Sequence, residues 1–132
     1  MEFLVSRGTT DLNLPFSDAV KVGGVLYLSG QIGNLPGQLA LAPGGIEGEA
    51  RQMMDNIARV LNAAGLSFDD VFKCTVMLAD MADWAAFNAV YTGYFRADRL
   101  PARSAFAARA LALAAAVEME CQAWAGGDTI RN

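Results

Sequence analysis

The sequence predicts an α+β domain: a six-stranded mixed sheet with two helices packed on one face, in the order β-β-β-α-β-α-β-β. Three observations carry this. β-rich runs punctuated by glycine occupy both ends of the chain. A helical apolar period follows residue 47, and an aromatic stripe at helical spacing follows residue 80. Two helices cannot cover both faces of six strands, so they share one face and leave the other needing cover.

In chain order, residues 3–6 read as a short first strand and residues 8–15 as a polar loop ending in proline. Residues 19–22 and 25–29 are β-rich runs separated by Gly23-Gly24, a hairpin signal. Residues 33–45 hold two prolines and several glycines and form a loop or an additional short hairpin. From Glu47, Ala50, Met53, Met54, Ile57, Val60, Leu61 and Ala64 fall on one helical face, with Glu49, Arg51, Asp55, Arg59 and Asn62 on the rest. Gly65 ends this helix, and Leu66 makes the apolar contact that follows a left-handed cap. Residues 71–78 read as a strand. Asp80 is an N-cap with Asp83 in the first turn, and Trp84, Phe87, Tyr91, Tyr94 and Phe95 form the second helical stripe. Residues 104–111 and 117–124 finish as strands, and the tail after Gly126 is expected to fray. The 71–78 strand is apolar on both sides, with Phe72, Cys74, Val76 and Leu78 against Val71 and Met77, which argues for association through the open sheet face.

With 132 residues, the chain suits one domain over 1–132 with a core that needs no staples. Apolar residues make up 54%, and part of that share can serve a subunit interface. The formal net charge is −4 with both signs interspersed, so neither nucleic acid nor an anionic membrane is an expected partner. Histidine is absent, which removes Ser-His-Asp and Cys-His catalysis and His-ligated zinc from this chain. Cys74 and Cys121 form no Cys-x-x-Cys pair and read as buried thiols. The first residues lack the basic and apolar regions of a signal peptide, and residues 105–116 are too short and too charged to span a bilayer. A cytoplasmic protein is expected.

The chemistry concentrates in Leu100-Pro101-Ala102-Arg103-Ser104 and Val117-Glu118-Met119-Glu120. An arginine fork binds a planar carboxylate through two charge-assisted hydrogen bonds. A glutamate nearby can hold or activate water. Together they describe a pocket for a small carboxylic acid that undergoes hydrolysis. Plainer roles stand beside these. Arg103 can bond a strand end or an acid, Glu118 and Glu120 share a strand face and can both be solvated, and the Ser29 hydroxyl can bond backbone. Asn88 can make a helix-to-loop or interface bond, and Trp84, Phe87 and Tyr91 pack a core. Arg109 has no assigned role.

Four blocks carry a family resemblance: Pro15-Phe16-Ser17-Asp18-Ala19-Val20, Leu28-Ser29-Gly30-Gln31-Ile32, Asn88-Ala89-Val90-Tyr91 leading to Phe95, and Pro101-Ala102-Arg103-Ser104. The interval from Arg103 to Glu118 fits as well. Over nearly its whole length the chain resembles the RidA/YjgF family of reactive-intermediate deaminases. The resemblance implies a chorismate-mutase-like α+β fold and a homotrimer with clefts at the subunit interfaces. It implies cofactor-independent hydrolysis of enamine and imine acids of the 2-aminoacrylate and 2-iminopropanoate type to 2-keto acids and ammonia. Carried over residue by residue, Arg103 would clamp the carboxylate and Glu118 would position water. Phe16, Ser29, Gly30, Asn88 and Ala105 would line the substrate. Phe16 stands where the family often has tyrosine and Ala105 where it commonly has cysteine. Two other functions compete: a non-catalytic trimer that binds small carboxylates for regulation, and a ribonuclease. The absent histidine and the acidic balance speak against the ribonuclease.

Overall fold

The computed structural model describes residues 1–126. The expected frayed tail lies outside the described residues. The observed class is α+β, with strands β1 (Glu2–Leu4), β2 (Ala19–Val22), β3 (Val25–Leu28), β4 (Gln31–Ile32), β5 (Val71–Leu78), β6 (Ala102–Ala107) and β7 (Val117–Trp124). The helices are α1 (Arg7–Asp11), α2 (Gly45–Ala63) and α3 (Trp84–Tyr91), supplemented by short 3₁₀ turns.

All strands join one sheet in the order β1-β2-β3-β7-β5-β6, with β4 also pairing β7. The sheet therefore has seven strands rather than six. The additional one arises because the chain after β3 breaks at Ser29-Gly30 and then returns to the same partner. β3 pairs Trp124, Ala123 and Gln122, whereas Gln31 and Ile32 pair Met119 and Glu118. The Gly23-Gly24 hairpin forms as expected, with Val22 opposite Val25. β5 and β6 are parallel, joined through α3, and the other pairings are antiparallel.

α2 and α3 cover one face. Met53, Met54, Ile57 and Leu61 of α2 and Phe87 of α3 are buried against Leu26, Cys74, Val76, Leu78, Val117, Met119 and Cys121. α2 ends in the expected Gly65 cap (φ 75°), where Leu66 N–H bonds Leu61 O at 2.8 Å and Gly65 N–H bonds Asn62 O at 3.0 Å. Cys74 and Cys121 are cross-strand partners, both free and buried, with Sγ atoms 3.6 Å apart. Contact with Cys74 and burial hold the Cys121 thiol well above its ordinary range.

Five local expectations are corrected and one is met. Residues 8–15 are not all loop, because Ser6 caps α1 by accepting from Thr9 N–H at 3.2 Å. Asp80 is the N-cap expected, accepting from Ala82 N–H at 2.9 Å with Asp83 in the first turn; the turn it caps, Met81–Asp83, is 3₁₀ and runs into α3. α3 ends at Tyr91, and Tyr94 and Phe95 lie beyond it. β6 spans Ala102–Ala107 instead of 104–111, because its parallel partner β5 runs out at Leu78. In β5, a register shift between Val71 and Lys73 buries Val71 and leaves Phe72 41% exposed, off the face of Cys74, Val76 and Leu78. Glu49, placed on the polar side of α2, is buried and accepts from Ala116 N–H at 2.8 Å.

The face that α2 and α3 leave open is only partly apolar. Lys73, Thr75, Glu118, Glu120 and Gln122 occupy its middle by strand alternation, with exposed Tyr27, Phe106 and Trp124 toward the flanks. No described helix is long and apolar enough to cross a membrane.

Candidate active site

The predicted site residues fall into two groups. The first lines a cleft of about 900 Å³ whose wall includes Phe16, Ser29, Gly30, Glu118 and Glu120. The break between β3 and β4 builds this wall. Ser29 N–H bonds Asp18 O at 2.9 Å, and the Ser29 hydroxyl donates to Ser17 O at 2.6 Å. That hydroxyl is committed to backbone, the plainer of its two readings. Gly30 admits the catalytic candidate: a Cβ there would stand 2.2 Å from Glu118 Oε2. Glu118 is half-buried. Burial first, and the neighbouring Glu120 second, raise its carboxyl above the ordinary value of 4.5. A carboxylate poised nearer neutrality is a better general base.

The second group is Asn88, Arg103 and Ala105. Arg103 and Ala105 pair Cys74 and Val76, so their side chains rise on the helix-covered side of β6. The Arg103 guanidinium sits 4.7 Å from the Tyr91 ring centre, 4.9 Å from Trp84 and 5.9 Å from Phe87. Phe87 and Tyr91 thus pack the core as expected, Trp84 does not, being 41% exposed, and the three rings together form a platform for a cation. Among the described residues, no carboxylate pairs with Arg103. On the same helix, Asn88 Oδ1 and Tyr91 OH are buried without partners. Unspent donors on Arg103 and an orphaned acceptor on Asn88 make a polar patch ready for a ligand. Ala105 packs partly buried against the core.

One chain does not bring the two groups together. Arg103 shares the side of Cys74, whereas Glu118 pairs Met77 on the opposite, open side. Arg109 is exposed beyond the end of β6. Among the described residues, no cluster of three or more His, Cys, Asp or Glu could hold a metal ion.

Three supporting residues escaped the sequence reading. Buried Asp18 accepts from Ser6 N–H and, at 2.6 Å, from the Thr9 hydroxyl, tying α1 to the cleft wall. Buried Asn56 donates to Ile32 O and Asn34 O, each at 3.0 Å, and thereby pins β4 to α2. Arg59 reaches the cleft and donates to Asn56 Oδ1. Asp18 was visible inside the Pro15–Val20 block. Asn56 and Arg59 lie among ordinary helix polar residues and left no signal.

Residues 10–125 match the sequence profile of the family described as Endoribonuclease L-PSP. The chain belongs to this family, which is also known as RidA/YjgF. A mouse 2-iminobutanoate/2-iminopropanoate deaminase is 44% identical over 112 residues, covering 85% of this chain and 82% of that protein. The human protein of the same name is 41% identical and covers 85% and 81%. In three dimensions, the chain is similar to a putative endoribonuclease from Thermotoga maritima, with TM-score 0.86 and 34% identity over 96% and 100% of the chains. RidA from an Antarctic Psychrobacter gives TM-score 0.79 at 37% identity, covering 83% and 88%.

Proposed function

We propose that this RidA/YjgF chain is an imine deaminase that hydrolyses small enamine and imine carboxylic acids to 2-keto acids and ammonia, without a cofactor, in the cytoplasm. The relatives named as deaminases support the reaction class. The observation that carries the site is Arg103, a guanidinium oriented by three rings with no acidic partner among the described residues. Such a group is free to bind a carboxylate through paired charge-assisted bonds.

Because Arg103 and Glu118 occupy opposite sides of the sheet, a working site takes Arg103, Asn88 and Ala105 from one subunit and Glu118, Gly30, Ser29 and Phe16 from another. A homotrimer closed through the open sheet faces repeats that site three times. Glu118 removes a proton from water as the water oxygen bonds to the carbon of the protonated imine and the C=N π pair moves to nitrogen, giving a carbinolamine. Glu118 then donates that proton to nitrogen as the C–N bond breaks, ammonia leaves, and the hydroxyl proton passes back to Glu118 as the keto C=O forms. An imine hydrolyses unaided, so about 10²–10⁴-fold from positioning and base assistance makes a competent enzyme.

The test is ammonia and keto-acid release from freshly generated 2-aminoacrylate. Arg103→Ala is expected to lower kcat/KM by about 10²-fold or more, since an unpaired substrate carboxylate loses roughly 2–5 kcal/mol. Unchanged kinetics in a correctly assembled variant overturn the assignment. Carboxylate binding without ammonia release would make the protein a binding trimer.

A further inference from the structure

Three side chains form a row across the middle of the sheet on its helix-covered side. Cys74 of β5 is the register partner of Cys121 in β7 on one flank and of Arg103 in β6 on the other. The two thiols are free and buried, with their sulfurs 3.6 Å apart, and the proposed imine chemistry uses neither. Directly opposed residues of an antiparallel pair hold their Cβ atoms about 4.5–5.5 Å apart. A disulfide spans about 3.5–4.5 Å between Cβ atoms and about 2.05 Å between sulfurs. Bonding the pair therefore needs a small approach of two side chains and no change of strand partner or register. Ordinary buried cysteines are inert because neither thiol ionises, but this pair is asymmetric. Contact with Cys121, then the Tyr91 hydroxyl and the Arg103 and Lys73 charges, hold the Cys74 thiol below its ordinary value against the pull of burial. The Cys121 thiol is held well above that value. A nucleophilic sulfur thus lies in contact with a sulfur able to resolve it.

The roof over the pair supplies access. Tyr91 of α3 lies against Cys74, which together with burial raises the Tyr91 hydroxyl. α3 has eight residues, against nineteen in α2. Two of its buried polar atoms, Asn88 Oδ1 and Tyr91 OH, have no hydrogen-bond partner among the described residues. Unpaired buried groups weaken the packing that holds an element in place. A short element so held opens locally long before the whole fold does. Trp84, at the start of α3, is already 41% exposed. Opening of α3 therefore admits a small oxidant to Cys74 while the β5–β7 ladder stays intact.

We infer that Cys74 and Cys121 are a peroxide-responsive thiol pair that closes reversibly into a disulfide between β5 and β7. The Cys74 thiolate attacks one oxygen of hydrogen peroxide; an S–O bond forms, the O–O bond breaks, and the hydroxide released takes up the thiol's proton as water. The Cys121 sulfur then attacks the Cys74 sulfur. The S–S bond forms, the S–O bond breaks, and the leaving hydroxide takes the Cys121 proton as a second water. The two thiols together lose two electrons and peroxide gains them. The test exposes the reduced, folded oligomer to hydrogen peroxide, removes the excess with catalase, and alkylates the protein after denaturation. Mass spectrometry should find chains lighter by two hydrogens, unalkylated at both cysteines, with Cys74 and Cys121 peptides joined, and dithiothreitol should restore both thiols. In Cys121→Ala, dimedone should capture a sulfenic acid on Cys74, whereas Cys74→Ala should give about tenfold less capture at Cys121. Two alkylatable thiols at a peroxide dose that oxidises glutathione in the same tube overturn the inference, and this arm needs no variant to fold. Disulfides that join separate chains, or equal dimedone capture at the two positions, overturn it as well.

Discussion

A guanidinium stacked on rings keeps its hydrogen-bond donors, whereas one paired with a carboxylate has spent them. Trp84, Phe87 and Tyr91 hold Arg103 in the first way. Trp84 is 41% exposed, so its share is that of a solvent-facing cation–π contact. Trp84→Leu should raise KM about 2–5-fold with kcat unchanged, from roughly 0.5–1 kcal/mol of lost orientation. A fall in kcat at constant KM would contradict this role. In the proposed mechanism Glu118 sets the pH response. It takes a proton only when ionised, and burial with Glu120 raises its carboxyl above 4.5. The acid limb of kcat/KM should therefore lie above the ordinary glutamate range. Glu120→Gln removes one of the two causes and should move that limb downward, though not fully, because burial remains. A limb that stays put or climbs would refute the coupling. The sign for stability is opposite to the usual acid case. The folded state favours protonated Glu118, so stability is fully present below the unfolded value and is lost as pH rises through the raised one.

At the scale of elements, the cleft wall is made by a two-residue strand that could not persist alone. β4 survives because β7 supplies its ladder and Asn56 caps the carbonyls of Ile32 and Asn34. Asn56→Ala would leave buried acceptors unpaired at about 1–3 kcal/mol. The expected result is a Tm lower by about 4–12 °C together with reduced kcat, as Gly30 and Glu118 lose their relative placement. A Tm unchanged within a degree would show that β4 is held by β7 alone. Long periodic elements such as α2 and β7 were legible in the sequence because burial imposes a period on them. α1 and β4 were not, since five and two residues are too few to show one.

At the scale of the whole molecule, two half-sites on opposite sides of one sheet demand more than one copy if they are to act together. Mixed oligomers test this directly. Arg103→Ala and Glu118→Gln homo-oligomers should each be nearly inactive. When their subunits are scrambled at random, about a quarter of the sites receive an intact Arg103 from one chain and an intact Glu118 from another. Recovery of about that fraction of wild-type activity is expected. No recovery would mean that both residues must come from one chain. The intact oligomer should sediment at three times the 14.0 kDa chain mass.

The sequence by itself determined the α+β class, the existence of the two helices that cover the sheet, the Gly65 cap and the residue types fit for carboxylate and water chemistry. These follow from local propensity and from periodic burial, which are written residue by residue. Tertiary structure alone decided which candidates meet. Strand order β3-β7-β5 and the break at Ser29-Gly30 placed Gly30 against Glu118, while the parallel β5–β6 pairing sent Arg103 to the other side. It also decided that Asn56, an unremarkable polar residue of α2, would bury itself under β4. Register and pairing are long-range choices, and no stretch of adjacent residues encodes them.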